Sequence, residues 1–245
     1  MKSILTINNL EKSYGERKAV KGISFRLEEG EILGFLGPNG AGKSTSINMI
    51  STVVDYDGGD ISFLDKDIRK HENFLKRHLG VVPQDLAIFN DLSAYDNVKF
   101  FCSLYGISGR ELKKNVEEAL TFVGLWERRK ELPSGFSGGM KRRLNIACAI
   151  AHKPKLLIMD EPTVGIDPQS RNNILETVKE LNKNGTTIIY TSHYMEEVES
   201  LCSRLIIMDE GTIIEEGTKE TLKSKYSKDN LEEVFLQLTG KELRD

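Results

Sequence analysis

The amino-acid sequence predicts an α/β fold with a mostly parallel core sheet, and two observations support this prediction. Residues 32–36 form a continuous apolar run, which is typical of a strand buried on both faces of a parallel sheet. Between about 137 and 208, segments of helical periodicity alternate with short apolar segments. Because parallel strands need crossover connections that are usually helices, this alternation indicates parallel strands joined by helices.

The first third of the chain is expected to be rich in strands. Residues 23–27 alternate apolar and polar side chains, as a half-buried strand does, whereas residues 79–82 are expected to form a buried strand that Pro83 ends. The predicted strands lie at 4–7, 23–27, 32–36, 58–64 and 79–83.

The middle third changes to helical periodicity. Helices are predicted at 94–105 and 111–123, and residues 106–109 separate them. In the second helix, Leu112, Val116, Leu120 and Val123 share one face. These two helices define a helical insertion at about 85–135.

Helices and strands alternate in the last part of the chain. The predicted pairs are 137–151 with 156–159, 170–182 with 186–191, and 195–201 with 205–208, followed by a strand at 212–215 and a charged helical tail. The small basic cluster Lys141–Arg143 is interpreted as the solvated face of its helix.

The composition limits the classes of protein to which the chain can belong. The 245 residues suit one large domain or two small ones, and the net charge of −3 excludes a polybasic surface for nucleic acid. All apolar runs are shorter than the roughly 18 residues that a membrane helix needs, so no membrane span is expected within this sequence. The three cysteines, Cys102, Cys148 and Cys202, have no metal-binding spacing and are expected to be buried, reduced thiols.

A glycine-rich segment after the buried strand matches the pattern GxxxxGK[ST], and a helix is predicted to follow at about 43–50. Glycines let backbone N–H groups point at an anion, and the helix N-terminus adds partial positive charge. Lys43 can then neutralise the β- and γ-phosphates of a nucleotide, and Ser44 can bind Mg²⁺. The predicted nucleotide-binding residues of this loop are Gly37, Pro38, Asn39, Gly40, Ala41, Gly42, Lys43, Ser44 and Thr45.

A second motif ends the apolar strand 156–159 with two carboxylates, Asp160 and Glu161. Parallel sheets bind ligands at the carboxyl ends of their strands. Since adjacent strand residues point to opposite sides, the two carboxylates are expected to have different roles, one holding Mg²⁺ and the other polarising an attacking water. Taken alone, the same sequence also fits a strand that is followed by a polar turn.

With these two motifs in this order, residues 4 to 220 resemble the nucleotide-binding subunit of an ATP-binding cassette (ABC) transporter. The resemblance implies a P-loop NTPase fold of the ABC type, with an N-terminal antiparallel β-subdomain beside the parallel sheet, and ATP and Mg²⁺ as cofactors. It further implies one domain over 1–245. The expected divisions are a core with the β-subdomain at 1–84 and 136–218, a helical subdomain at 85–135 and a helical tail at 219–245.

The resemblance also implies roles for residues outside the two motifs. Tyr14 would stack on adenine, although such a tyrosine also suits a turn. Gln84 would reach Mg²⁺ or the attacking water, and His193 would sense the γ-phosphate, so Gln84, Glu161 and His193 form the expected catalytic set. The expected Mg²⁺ ligands are Ser44, Gln84 and Asp160.

A signature segment of the family is represented by Ser137, Gly138 and Gly139, which would bind the ATP of a partner subunit. Phe136 and Met140 flank it where the family usually has leucine and glutamine, and nothing polar is expected from Met140. Asp167 resembles the D-loop aspartate, and it could equally be the N-cap of a helix that begins at Pro168.

The family further implies a head-to-tail dimer, formed with a second copy or a homologous cassette, that drives separate transmembrane permease subunits from the cytoplasmic face of the membrane. The segments 138–144, 192–197 and 231–236 resemble bacterial ABC-2 type exporters of drugs, antibiotics or sodium. The main alternative is a soluble ABC ATPase that acts on ribosomes or DNA. A P-loop kinase or GTPase would not need the signature segment.

Overall fold

A computed structural model describes residues 2–240 of the chain, so the end of the predicted tail, 241–245, lies outside the described residues. The strands are β1 (Ser3–Tyr14), β2 (Arg17–Glu28), β3 (Ile32–Leu36), β4 (Gly58–Phe63), β5 (Lys66–Asp67), β6 (Leu79–Val82), β7 (Leu156–Asp160), β8 (Thr187–Thr191), β9 (Arg204–Asp209) and β10 (Thr212–Thr218). The helices are α1 (Lys43–Ile50), α2 (Glu72–His78), α3 (Ala94–Ser103), α4 (Gly109–Phe122), α5 (Gly138–Ile150), α6 (Pro168–Lys183), α7 (Met195–Leu201), α8 (Lys219–Tyr226) and α9 (Leu231–Thr239).

The chain forms two compact units. The first contains the described residues up to Lys76 together with those from Thr187 onward, and the second is Arg77–Thr186. The subdomain boundaries expected from the sequence, at 84, 135 and 218, stay a prediction.

The first unit contains an antiparallel sheet and a parallel sheet segment. In the antiparallel sheet the order is β2–β1–β4–β5, and its buried face includes Leu5, Ile7 and Phe63. In the parallel segment β3 lies between β8 and β9 and pairs in parallel with both, while β10 pairs antiparallel with β9. Every residue of β3 and β8 is buried, as the continuous apolar run 32–36 predicted.

The second unit joins a parallel strand pair, β6 and β7, to four helices, α3 to α6. Helices α3 and α4 pack on each other and on α5. The buried residues Val116 and Leu120 lie on the predicted apolar face of α4, and Val123, just after the helix, is also buried. The parallel pairings in both units and the alternation of helices and strands confirm the predicted α/β class.

Most predicted elements occur, with some differences in detail. The predicted bounds of β3, α1 and α7 are those of the structure, and the three cysteines are free and buried. Helix α6 begins at Pro168 rather than Ser170, because Asp167 caps it. Strand β6 ends before Pro83 and is buried as predicted, except at Val81, which is exposed.

Candidate nucleotide site

The glycine-rich loop connects β3 to α1, and its backbone geometry requires glycine. Gly42 is the N-cap of α1 and adopts φ = 104°. A Cβ added at Gly42 would lie 2.6 Å from the carbonyl oxygen of Ala19, so the loop can take this path only with glycine there. The glycine also leaves the N-terminus of α1 without a side chain that could accept from its first N–H groups.

Lys43 provides a buried positive charge in this loop. Its side chain is 8% exposed, and its ammonium donates to the carbonyl oxygens of Gly37, at 2.6 Å, and Pro38, at 3.2 Å. The first N–H groups of a helix have no intrahelical acceptor, and the helix dipole favours an anion at the same place. Lys43 and the N-terminus of α1 therefore fit a phosphate group.

A basic recess adjoins the loop and was missed by the sequence reasoning. It has a volume of about 360 Å³ and is lined by Arg17, Lys18, Lys21, Gly40 and Glu210, with two small residues. Its basic residues lie close together at the start of β2, but Gly40 is distant from them in sequence, so only the fold brings them together. Their charge favours a polyphosphate near the loop.

Tyr14 ends β1 in the same unit, with its side chain 51% exposed and Lys12 Nζ 5.6 Å from its ring centroid. Its exposed ring face suits stacking on a base.

The segment after β8 is held by a buried hydrogen-bond network. Glu197 of α7 accepts hydrogen bonds from the Tyr190 hydroxyl, at 2.9 Å, and the Ser192 hydroxyl, at 2.7 Å. The Tyr194 backbone N–H in turn donates to Ser192 Oγ, at 3.0 Å. Two residues that flank His193 are therefore fixed, and the half-buried His193 occupies a defined position.

In the second unit, Asp160 is the last residue of β7 and Glu161 follows it with φ = 47°. The left-handed conformation of Glu161 ends the strand, so the expected alternation of these two side chains across the strand does not apply. Such a conformation is unfavourable for a residue with a Cβ. Glu161 is also buried, at 8% exposure.

The signature segment forms the N-terminus of α5. Ser137 is the N-cap, and its hydroxyl accepts from the Met140 N–H at 3.3 Å. Ser137 and Gly138 are exposed, whereas a Cβ added at Gly139 would collide with Ser170 Oγ of α6. Gly139 therefore permits close packing of two helices. Met140 does make a polar contact, contrary to the expectation, because its sulfur accepts a hydrogen bond from Arg128 Nη1 at 3.2 Å.

The basic cluster on α5 is not a solvated face, so this prediction is wrong. Arg142 is 4% exposed and donates to the backbone carbonyls of Pro83, at 2.8 Å, and Gln84, at 2.6 Å. Arg143 donates to the carbonyl of Val123 at 2.8 Å. Helical periodicity placed these arginines on one helix but could not show which carbonyls they reach.

The structure confirms the alternative that Asp167 is the N-cap of α6. Its carboxylate accepts from the Ser170 N–H at 2.9 Å, and this hydrogen bond holds the pKa of Asp167 below its ordinary value. Its role in a D-loop stays a prediction.

The two units divide the predicted site residues between them. Tyr14, the loop Gly37–Thr45 and His193 belong to the first unit. The second unit contains the remaining predicted site residues, which are Gln84, Ser137, Gly138, Gly139, Asp160, Glu161 and Asp167.

The donor chemistry of the predicted Mg²⁺ ligands fits this cation, because hydroxyl, amide and carboxylate oxygens are hard ligands. Within residues 2–240 there is no group of three or more His, Cys, Asp or Glu side chains that could hold a metal ion. Mg²⁺ is usually bound by one or two carboxylates together with substrate phosphates and several waters, and a set of this kind suits the predicted ligands.

Comparison with known proteins identifies the family. A family model described as ABC transporter matches residues 20–164, and the chain belongs to this family as an ATP-binding subunit. It is 53% identical over 236 residues to the linearmycin resistance ATP-binding protein LnrL of Bacillus subtilis (strain 168), covering 96% of this chain and 75% of the relative.

Two further similarities agree with this assignment. The chain is 38% identical to the Nod factor export ATP-binding protein I of Paraburkholderia xenovorans (strain LB400), covering 94% of this chain and 76% of the relative. It also resembles a dimeric ATP-binding cassette in a post-hydrolysis state bound to ADP and Pi, with a TM-score of 0.78 and 26% identity over 87% of this chain and 98% of that one. Among the described residues, no helix is both long and apolar enough to cross a membrane.

Proposed function

We propose that this chain binds and hydrolyses Mg²⁺-ATP and that a head-to-tail pair of cassettes uses this cycle to drive export through separate permease subunits. The observation that carries the proposal is the start of α1, where Gly42 permits a tight backbone path and Lys43 holds a buried positive charge. This arrangement suits the triphosphate of a nucleotide. The ADP and Pi in the similar cassette support hydrolysis as the reaction.

Each site residue then has a chemical task. Tyr14 stacks on the adenine, and Lys43 neutralises the β- and γ-phosphates. Glu161 polarises the water that attacks the γ-phosphate, and His193 donates a hydrogen bond to that phosphate. Gln84 orients the same water.

Mg²⁺ would be held by Ser44, Asp160 and Gln84, where it neutralises charge on the phosphate oxygens. The backbone N–H groups of 37–45 hold the phosphates in place while the charge redistributes, which lowers the barrier without further protein movement.

The signature segment supports the dimer. Ser137 and Gly138 are exposed at the N-terminus of α5, a helix of 13 residues, where N–H groups and the helix dipole attract an anion. We propose that they bind the γ-phosphate of ATP held by the second cassette, with Asp167 near the interface. Each ATP then joins two chains, and its hydrolysis releases them.

The export function is supported by the names of the relatives and by a surface on the second unit. We call this the aromatic surface, and it consists of Phe89, Phe100, Phe101 and Leu104. The ring centroids of Phe89 and Phe100 are 5.2 Å apart, and the buried Asn97 fixes Phe89 by hydrogen bonds to its N–H and carbonyl.

Phe89 of the aromatic surface lies five residues after Gln84 in the chain, so a partner bound there could sense the nucleotide. An exposed aromatic group of this kind suits a protein partner. We propose that the partner is the permease, which would place this chain at the cytoplasmic face of the membrane. Co-purification of the full chain with a multispan membrane protein supports this, and capture with ribosomes instead contradicts it.

The catalytic proposal is tested by Glu161→Gln. The neutral amide cannot polarise the water, so ATP hydrolysis is expected to fall by about 100-fold or more while ATP still binds. ATP should then trap a dimer that size-exclusion chromatography with light scattering detects. The double variant Lys43→Ala/Glu161→Gln is the control and should stay monomeric in ATP. Wild-type turnover in Glu161→Gln would exclude Glu161 as the base.

A further inference from the structure

Arg142 lies on helix α5, but its side chain donates hydrogen bonds to backbone carbonyls outside that helix. Its guanidinium is buried and bonds two successive backbone carbonyls, those of Pro83 and Gln84, in the segment that leaves β6. Nη1 donates to the carbonyl of Pro83, and Nη2 donates to the carbonyl of Gln84. The contact therefore fixes both the position and the orientation of the backbone at Gln84.

The geometry of this contact requires arginine. A guanidinium is a rigid planar fork whose donors lie in one plane, whereas a lysine ammonium is a compact point charge. A lysine at 142 could keep the charge and bond one carbonyl, but it could not hold both in a fixed orientation. Hydrogen bonds with a charged donor are also stronger than neutral ones, so the segment follows the helix closely.

The helix connects this contact to the signature segment. Arg142 lies five residues after Ser137, and α5 is continuous between them. A continuous helix moves as one body over such a short distance, so a shift of the backbone at Gln84 reaches Ser137 through Arg142. Both ends of this connection lie in the second unit.

We propose that Arg142 is a positioning residue that makes Gln84 and the signature serine Ser137 change position together. This inference rests on the proposed function, in which Gln84 acts at the nucleotide site of its own chain and Ser137 acts at the nucleotide site of the partner. Arg142 touches neither nucleotide. It links the occupancy of the two sites of the dimer through the backbone of the Gln84 segment.

The chain offers a matched control in the next residue. Arg143 lies on the same helix, is partly buried and donates to a backbone carbonyl at the same distance as Arg142 does to Pro83, 2.8 Å. Its acceptor is the carbonyl of Val123, which follows α4, rather than a carbonyl of the segment that contains Gln84. A purely structural role would be shared by the two arginines, whereas a role in positioning Gln84 belongs to Arg142 alone.

The test compares Arg142→Lys with Arg143→Lys in the full chain, each with and without Gln84→Ala. Arg142→Lys is expected to lower the kcat of ATP hydrolysis about tenfold with little change in KM, because nucleotide binding by the Lys43 loop is untouched. In the double variant with Gln84→Ala, kcat should fall no further than in the lower of the two single variants, since both act through one connection. Arg143→Lys should combine additively with Gln84→Ala. Additive loss for Arg142→Lys would overturn the proposal.

A second measurement does not depend on the folding of an Arg142 variant. In the catalytically slow Glu161→Gln background, ATP is expected to protect the peptide 137–142 from hydrogen exchange. Adding Gln84→Ala should reduce this protection, whereas full protection would overturn the coupling. If Glu161→Gln hydrolyses ATP like wild type, the catalytic proposal fails instead, and the two failures are distinct.

Discussion

His152 is a buried histidine whose surroundings keep its ring neutral. The ring stacks on Tyr105 with centroids 3.5 Å apart, and Nε2 donates to the carbonyl of Leu79 at 3.0 Å. Burial lowers the pKa of His152 to about 4, from an ordinary value of about 6.5. The folded chain therefore binds this proton less readily than the unfolded chain does.

This difference predicts a loss of stability in mild acid. The unfolded state takes up a proton below pH 6.5, whereas the folded state resists it down to about pH 4. Stability contributed by neutral His152 is thus present above pH 6.5 and is lost between about pH 6.5 and 4. The loss is on the order of 3 kcal/mol.

Urea unfolding at a series of pH values measures this loss. His152→Gln, which keeps a donor for Leu79 but cannot take up the proton, should show a shallower pH dependence than wild type between pH 6.5 and 4. The exposed His71 provides the control, and His71→Gln should keep the wild-type slope. An unchanged slope in His152→Gln would show that other groups control acid unfolding.

At the scale of elements, two serines of the second unit cap helices in the same way but differ in their predicted function. Ser137 Oγ accepts from the N–H of Met140 at 3.3 Å, and Ser93 Oγ accepts from that of Asp96 at 3.1 Å. Replacing either serine by alanine removes an N-cap, which costs about 1 kcal/mol of stability. Only Ser137 belongs to the signature segment.

We therefore expect Ser137→Ala and Ser93→Ala to lower the free energy of unfolding by similar amounts, about 1 kcal/mol each. Only Ser137→Ala should also lower the rate of ATP hydrolysis, because Ser137 is proposed to bind the nucleotide of the partner chain. Urea unfolding and steady-state ATPase assays on both variants measure the two effects. An equal loss of ATPase activity in both variants would show that Ser137 acts only as a helix cap.

Elements with strong local signals could be predicted, and those without could not. The bounds of β3 and α1 follow from a continuous apolar run and a glycine-rich loop, which need no tertiary information. Helix α2 was missed because only Leu75 of its seven residues is buried, so it has no apolar periodicity. Strand β5 has only two residues. In such elements tertiary contacts, rather than sequence pattern, determine the structure.

The same distinction applies to the site residues. The role of Gly42 in the phosphate loop could be predicted, because the loop needs a backbone conformation at this position that only glycine allows. The hydrogen-bond partners of Arg142 could not be predicted, because residues 83 and 84 are far from it in sequence. Every residue has a backbone carbonyl, so the amino-acid type does not indicate which carbonyl accepts the bond. The role of Gly139 in helix packing was hidden for the same reason, since its neighbour is Ser170 of another helix.

At the scale of the whole molecule, the dimer proposal links folding to protein concentration. A nucleotide that binds only the folded chain raises the melting temperature by mass action. With ADP this rise should depend on nucleotide concentration alone. ATP that joins two chains adds a dimerisation term, so the melting temperature should also rise with protein concentration.

The Glu161→Gln variant allows this measurement because it should not consume its ATP during heating. In saturating Mg²⁺-ATP its melting temperature is expected to rise as the protein concentration is increased, whereas in Mg²⁺-ADP it should stay constant. Adding Ser137→Ala should abolish the dependence on protein concentration but keep the rise caused by nucleotide binding, since the Lys43 loop is intact. Because binding and dimerisation are separated in this way, a melting temperature in ATP that is independent of protein concentration would exclude the ATP-bridged dimer while leaving nucleotide binding in place.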